Sequence, residues 1–128
     1  MKRCRLTITT VADGQQTEFS CEGQLSLSLC AAELFYNQNG AQVSLVLDGE
    51  TAKIERVGDY SLRLYLKSGE KTDGALILGG NEGEIQVYTH RVSYSVGKDS
   101  LLLSLHYDLL FAGDKQEMKL RILARYIK

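Results

Sequence analysis

Apolar and polar residues alternate with a period of two along most of this chain. Thr17, Phe19, Cys21, Gly23, Leu25, Leu27 and Leu29 are interleaved with Gln16, Glu18, Ser20, Glu22, Gln24, Ser26 and Ser28. That spacing gives a strand one apolar and one polar face, and no helical period accounts for it. Leu101, Leu103, Leu105, Tyr107, Leu109 and Phe111 repeat it, as do Met118, Leu120, Ile122, Ala124 and Tyr126. Shorter runs are Val43/Leu45/Leu47, Leu62/Leu64/Leu66 and Ile85/Val87/Thr89. The stretch from Cys30 to Gln38 reads as a bend and a short strand around Leu34 to Tyr36, with a short helix as the alternative. Ala75 to Gly80 has no clear parity. Inward parity switches between Thr89 and Val92, which predicts a bulge near His90.

The breaks fall at glycines: Asp13-Gly14, Asp48-Gly49, Gly58-Asp59, Ser68-Gly69, Gly97-Lys98-Asp99 and Gly113-Asp114. Such turns join antiparallel neighbours. A two-residue Asp13-Gly14 turn pairs Ala12 with Gln15. Leu6 then faces Cys21, Ile8 faces Phe19, and Arg5 faces Glu22 as an outer charge pair. An Asp48-Gly49 turn likewise sets Leu45 against Ala52 and Val43 against Ile54. A Ser68-Gly69 turn sets Asp73 against Leu64, on the inside. The expected fold is all-β: a closed antiparallel meander barrel of about nine to eleven strands, because closure removes sheet edges that no helix covers.

Composition narrows the class further. The chain has 128 residues, 12 glycines, no proline and no tryptophan. Missing proline suits a meander, whose interior strands must donate every ladder hydrogen bond. The length and the absence of linkers or repeats predict one domain over residues 1–128. Fifteen basic and sixteen acidic residues give a net charge of −1, which argues against nucleic acid as the main partner. No apolar run approaches the roughly 20 residues of a membrane span, and MKRCRLTITT has no apolar signal core. Cys4, Cys21 and Cys30 share no metal or disulfide spacing, so a reduced, cytoplasmic setting is expected.

No catalytic, phosphate-binding or metal-binding motif is present. The expectation is a non-enzymatic protein with no cofactor and no metal. His90 and His106 both fall on outward parity, where exposed histidines are ordinary. Arg56 is the most informative residue, because it shares parity with inward Ala52 and Ile54. A buried guanidinium needs a partner, and Asp73 is a candidate. Tyr107 and Thr89 are also polar and inward. Together, Arg56, Thr89 and Tyr107 form a candidate site for the carboxylate of a small amphipathic ligand; the alternative is an internal structural network. Lys2, Arg3, Arg5, Lys115, Lys119, Arg121, Arg125 and Lys128 would form a basic seam where the first strand meets the last, partly neutralised by Glu18 and Glu22.

The stretches AKIERVGDYSLRLYLKSGE, NEGEIQVYTHRV and LLLSLHYDLLFAGD resemble the YwiB-like family of uncharacterised bacterial proteins, over about residues 5–125 and most strongly after Gln42. The matching positions are Arg56 and Gly58 in an R-x-G turn, Gly83 and Thr89 in a G-x-x-x-x-x-T strand, and Tyr107 in the apolar strand ending at Gly113. Gly58, Gly83 and Gly113 are assigned as structural turn positions. The chain departs from the family at Leu78, where a tyrosine is usual. The resemblance implies a calycin-like barrel, related in shape to lipocalins, and no established activity. Two function classes follow. One is a binder of a small amphipathic or acidic molecule at a barrel end. The other is a filled structural or interaction module that meets a protein partner or a second copy of itself.

Overall fold

Ten strands follow one another around a closed barrel in a computed structural model that describes residues 1–127. They are β1 (Lys2–Ala12), β2 (Gln15–Leu27), β3 (Ala31–Gln38), β4 (Ala41–Asp48), β5 (Thr51–Val57), β6 (Tyr60–Lys67), β7 (Lys71–Leu78), β8 (Asn81–Val96), β9 (Ser100–Phe111) and β10 (Asp114–Tyr126). Each pairs antiparallel with its sequence neighbours, and β1 closes on β10. Alternation alone carries this topology. Every strand turns its apolar parity to one interior, where Leu6, Leu25, Leu34, Leu45, Leu66, Leu103 and Ile122 are fully buried. Burying each such side chain stabilises the fold by about 1.5–3 kcal/mol. The segment from Ala31 to Gln38 is a full strand, not a helix, and ends at an Asn39-Gly40 turn.

The β1–β2 register is the expected one: Leu6 faces Cys21, Ile8 faces Phe19 and Arg5 faces Glu22. The outer charge pair differs, because Glu22 Oε1 accepts from Arg3 Nη2 at 2.8 Å. Two other registers depart from expectation. Gly49 takes the first loop position, with φ 60, so Asp48 pairs with Thr51. Glycine at the first of two loop residues is the arrangement that matches strand twist. Leu45 therefore faces Ile54, and Val43 faces Arg56. The register slides by two residues, so the expected inward parity survives. The β6–β7 loop holds three residues, Ser68 to Glu70, and this odd length reverses parity. Arg63 pairs with Ala75, and Asp73 points outward beside Gln86. Asp73 lines an outer groove of about 400 Å³ with Lys53, Glu55 and Arg63. It is not the partner of Arg56.

The bulge lies where parity places it, between Thr89 and Arg91. It also marks the point where β8 outruns β7. Thr89 exchanges backbone hydrogen bonds with Gly69 and Glu70. Val92 N then donates to Ser68 Oγ at 2.9 Å, and the Tyr94 hydroxyl donates to Cys30 O at 2.8 Å. This overhang packs Val92, Tyr94 and Val96 against the core. It covers the barrel end that carries the β2–β3, β4–β5 and β6–β7 loops. No helix among the described residues is long and apolar enough to cross a membrane.

Candidate functional site

The opposite end carries the turns after β1, β3, β5, β7 and β9, and among the described residues no strand folds over it. Inward-parity side chains there stay partly exposed: Phe19, Leu62, Met118 and Leu120 are half-buried, Phe111 is 40% exposed and Leu78 is 61% exposed. Just inside this apolar rim lie Arg56 from β5, Tyr60 from β6, Tyr107 from β9 and Tyr36 from β3. Tyr36 and Tyr107 are buried, at 4% and 6% exposure. Burial pushes the Tyr107 hydroxyl up to about 12, with Tyr60 adding to the shift. Burial also drives Tyr36 well above the ordinary tyrosine value, with smaller contributions from Cys21 and Tyr107. Tyr36 thus lies near enough to Cys21 and Tyr107, and Tyr107 to Tyr60, for each pair to interact electrostatically. Tyr36, Tyr107 and Cys21, all raised by burial, remain neutral and donor-competent at pH 7.

Arg56 does turn inward, with its side chain 19% exposed. Its guanidinium folds back over its own hairpin. Nη1 donates to Tyr60 O at 2.7 Å and Nη2 donates to Asp59 Oδ1 at 2.9 Å. Its carbon Cζ lies 3.8 Å from the Tyr60 ring centroid, a favourable stacking geometry. The bonded guanidinium holds the Asp59 carboxyl below the usual carboxylate value. Gly58 makes this brace possible, since an added Cβ would lie 2.8 Å from Ala41 Cβ and 3.4 Å from Arg56 Nη1. The R-x-G spacing therefore describes a turn whose glycine makes room and whose arginine locks it. Gly113 occupies the β9–β10 turn with φ 80. Gly83 corrects its assignment: it lies inside β8, paired with Leu76, and not at a turn.

Thr89 sits across the ladder from Tyr107 and is fully buried. Its Oγ1 has no hydrogen-bond partner, the one such buried side-chain atom among the described residues. A buried hydroxyl without a partner costs about 1–3 kcal/mol. Thr89 thus lies next to Tyr107 in the buried wall, while Arg56 lies beside the β5–β6 turn at the open end. Tyr36 and Tyr60 escaped the sequence reading, although Tyr36 shares inward parity with Leu34. Cys4 and Cys21 line the interior as free thiols, and burial pushes both upward, away from the reactive thiolate.

The outer wall holds a second cluster. Asp108 is on outward parity yet only 7% exposed. His90 Nε2 lies 2.8 Å from Asp108 Oδ2, and His106 Nε2 lies 3.0 Å from Glu117 Oε2. The two imidazoles stack with centroids 4.3 Å apart, and Tyr88 meets His90 edge-on. The basic seam forms as expected, with Arg5 beside Arg125 and Val11 beside Lys119; Lys128 lies outside the described residues.

A closed ten-stranded antiparallel meander with one covered and one open end is the class of protein these features define. The chain belongs to the family described as Domain of unknown function (DUF1934), which matches residues 3–122. It is similar to the crystal structure of the ywiB protein from Bacillus subtilis, with a TM-score of 0.83 at 16% identity, over 99% of this chain and 93% of that one. That likeness establishes the shared barrel fold. No curated protein matches the chain.

Proposed function

We propose that the open mouth binds a small amphipathic acid, non-enzymatically and in a reduced, cytoplasmic setting. The carrying observation is the juxtaposition of an apolar rim with Arg56, Tyr36, Tyr60 and Tyr107. The ligand's apolar part would lie along Phe19, Leu62, Leu78 and Phe111. Its carboxylate would meet Arg56, whose planar fork suits that geometry. Asp59 is the group it would displace; Asp59 is 80% exposed and regains water on leaving. The interior below is filled by leucines, so the ligand is short and held at the mouth. Three free cysteines support the reduced setting.

A second reading has one observation in its favour. Arg56 is already engaged by its own turn, as a purely structural arginine would be. The exposed rim would then meet a protein partner or another copy of the chain. Native mass spectrometry of freshly purified protein distinguishes the two. The binding reading expects a bound small acid on the wild type, lost from Arg56→Gln and weakened in Tyr107→Phe, with both variants folded. A ligand-free wild type, or a ligand retained by folded Arg56→Gln, contradicts it.

A further inference from the structure

We propose that His90, His106 and Asp108, with Glu117 as a fourth donor, form a binding site for a zinc-class divalent transition ion on the outer barrel wall. The donors come from three adjacent strands. One ligand atom from each of His90, His106 and Asp108 lies within 4.8 Å of the others. Glu117 Oε2 is 3.0 Å from His106 Nε2, and Glu117 is the ladder neighbour of Asp108. The β8 bulge builds the site: the register passes from Thr89 to Arg91, so His90 is the extra residue, standing beside His106 on the outer face. Bulges re-aim side chains in this way and cluster at functional positions.

Asp108 supplies the second, independent sign. A carboxylate on the outward face of a strand is ordinarily solvated, yet its side chain is only 9% exposed. Desolvating that charge is costly unless something positive compensates. His90 Nε2, 2.8 Å away, already meets that carboxylate, and a dication held between the two would compensate its charge further.

Binding requires the two imidazoles to unstack, because rings 29° from parallel with centroids 4.3 Å apart do not aim both Nε2 lone pairs at one point. Zinc binds imidazole nitrogen and carboxylate oxygen at about 2.0–2.2 Å in a tetrahedron, which sets donors about 3.3 Å apart. His90 Nε2 and Asp108 Oδ2, now 2.8 Å apart, would open slightly around the ion. The histidine side chains, 37% and 30% exposed, can close the remaining gap while Asp108 stays fixed. Two neutral imidazoles and two carboxylates balance the double charge. Arg91 and Lys119 are the ladder neighbours of His106, and they penalise any dication. The affinity must therefore come from nitrogen ligation, which favours zinc, copper or nickel over magnesium or calcium.

The test is calorimetric titration of untagged full-length protein with zinc chloride, with magnesium chloride as the contrast, and a cobalt(II) absorption spectrum. Expected are one equivalent of zinc bound, no magnesium uptake, and a cobalt spectrum without a thiolate charge-transfer band. His90→Ala and His106→Ala should each weaken zinc binding at least ~10-fold; should either fail to fold, Glu117→Gln serves on the exposed edge and should also weaken it. Absence of zinc uptake, uptake undiminished in the folded variants, or a cobalt–thiolate band pointing to the cysteines would overturn the proposal.

Discussion

Leu101, Leu66 and Leu25 lie at the barrel end that carries the termini, and each is sealed from water at 0% exposure. Leu78 and Phe111 share their inward parity at the other end and remain substantially exposed. The difference comes from strand length. β8 runs for 16 residues beside a β7 of 8. Its surplus, after the bulge, crosses the Ser68–Glu70 loop and reaches Cys30. A meander without helices can thus cover one end with its own strand. It has nothing left for the other, and the polar inward residues Arg56, Tyr36 and Tyr60 gather there. Water or a ligand can satisfy them at that end, whereas at the covered end they would be stranded.

The contrast can be broken by truncation. Leu101→Ala, at the sealed end, is expected to cost about 2–5 kcal/mol in urea unfolding, because it opens a cavity in a packed core. A loss below about 1 kcal/mol would mean that end is looser than its burial implies. The open end is probed by alkali. An unfolded tyrosine ionises near pH 10, whereas Tyr107 holds its proton to about 12. The unfolded chain therefore binds fewer protons in this window, and stability falls as pH rises from 10 to 12. Stability is fully present below pH 10. Tyr107→Phe should leave stability at pH 7 unchanged and flatten part of the alkaline loss on the order of 2 kcal/mol, with Tyr36 responsible for more. An unaltered alkaline profile would mean that the Tyr107 hydroxyl is not buried.

Smaller effects sharpen the same picture. Tyr94→Phe deletes the bond from the overhang to Cys30 O and should cost about 0.5–1.5 kcal/mol. It should also speed amide exchange across 92–96 relative to β9. Uniform exchange would show that this bond does not hold the overhang down. Leu78→Ala, on the open rim, should change stability by less than about 0.5 kcal/mol. A core-like loss there would mean the rim is already covered in solution.

The sequence revealed the barrel because period-two alternation survives small errors of register. Misplacing the Gly49 turn slid β4 against β5 by two residues and changed no side chain's face. The β6–β7 loop was different: one extra residue reversed parity and put Asp73 outside the wall, so the proposed partner of Arg56 was lost. The true partners, Asp59 and the Tyr60 carbonyl, lie within four residues of it. Local parity cannot show them, because the guanidinium doubles back over its own turn. The histidine cluster was illegible for a related reason. Parity placed His90 and His106 outside and even located the bulge, but only the three-strand register brings Asp108 and Glu117 beside them.

An NMR titration of the labelled protein with a medium-chain fatty acid such as decanoate tests the open mouth most directly. Saturable shifts are expected at the amides of Tyr36, Arg56, Tyr60, Tyr107 and Leu109, with Tyr94 and Gly97 at the covered end unmoved. Folded Arg56→Gln should bind at least ~10-fold more weakly, the loss of one charge-assisted bidentate contact. Shifts confined to the outer wall or the covered end, or equal affinity in that variant, would contradict a binding site at the mouth.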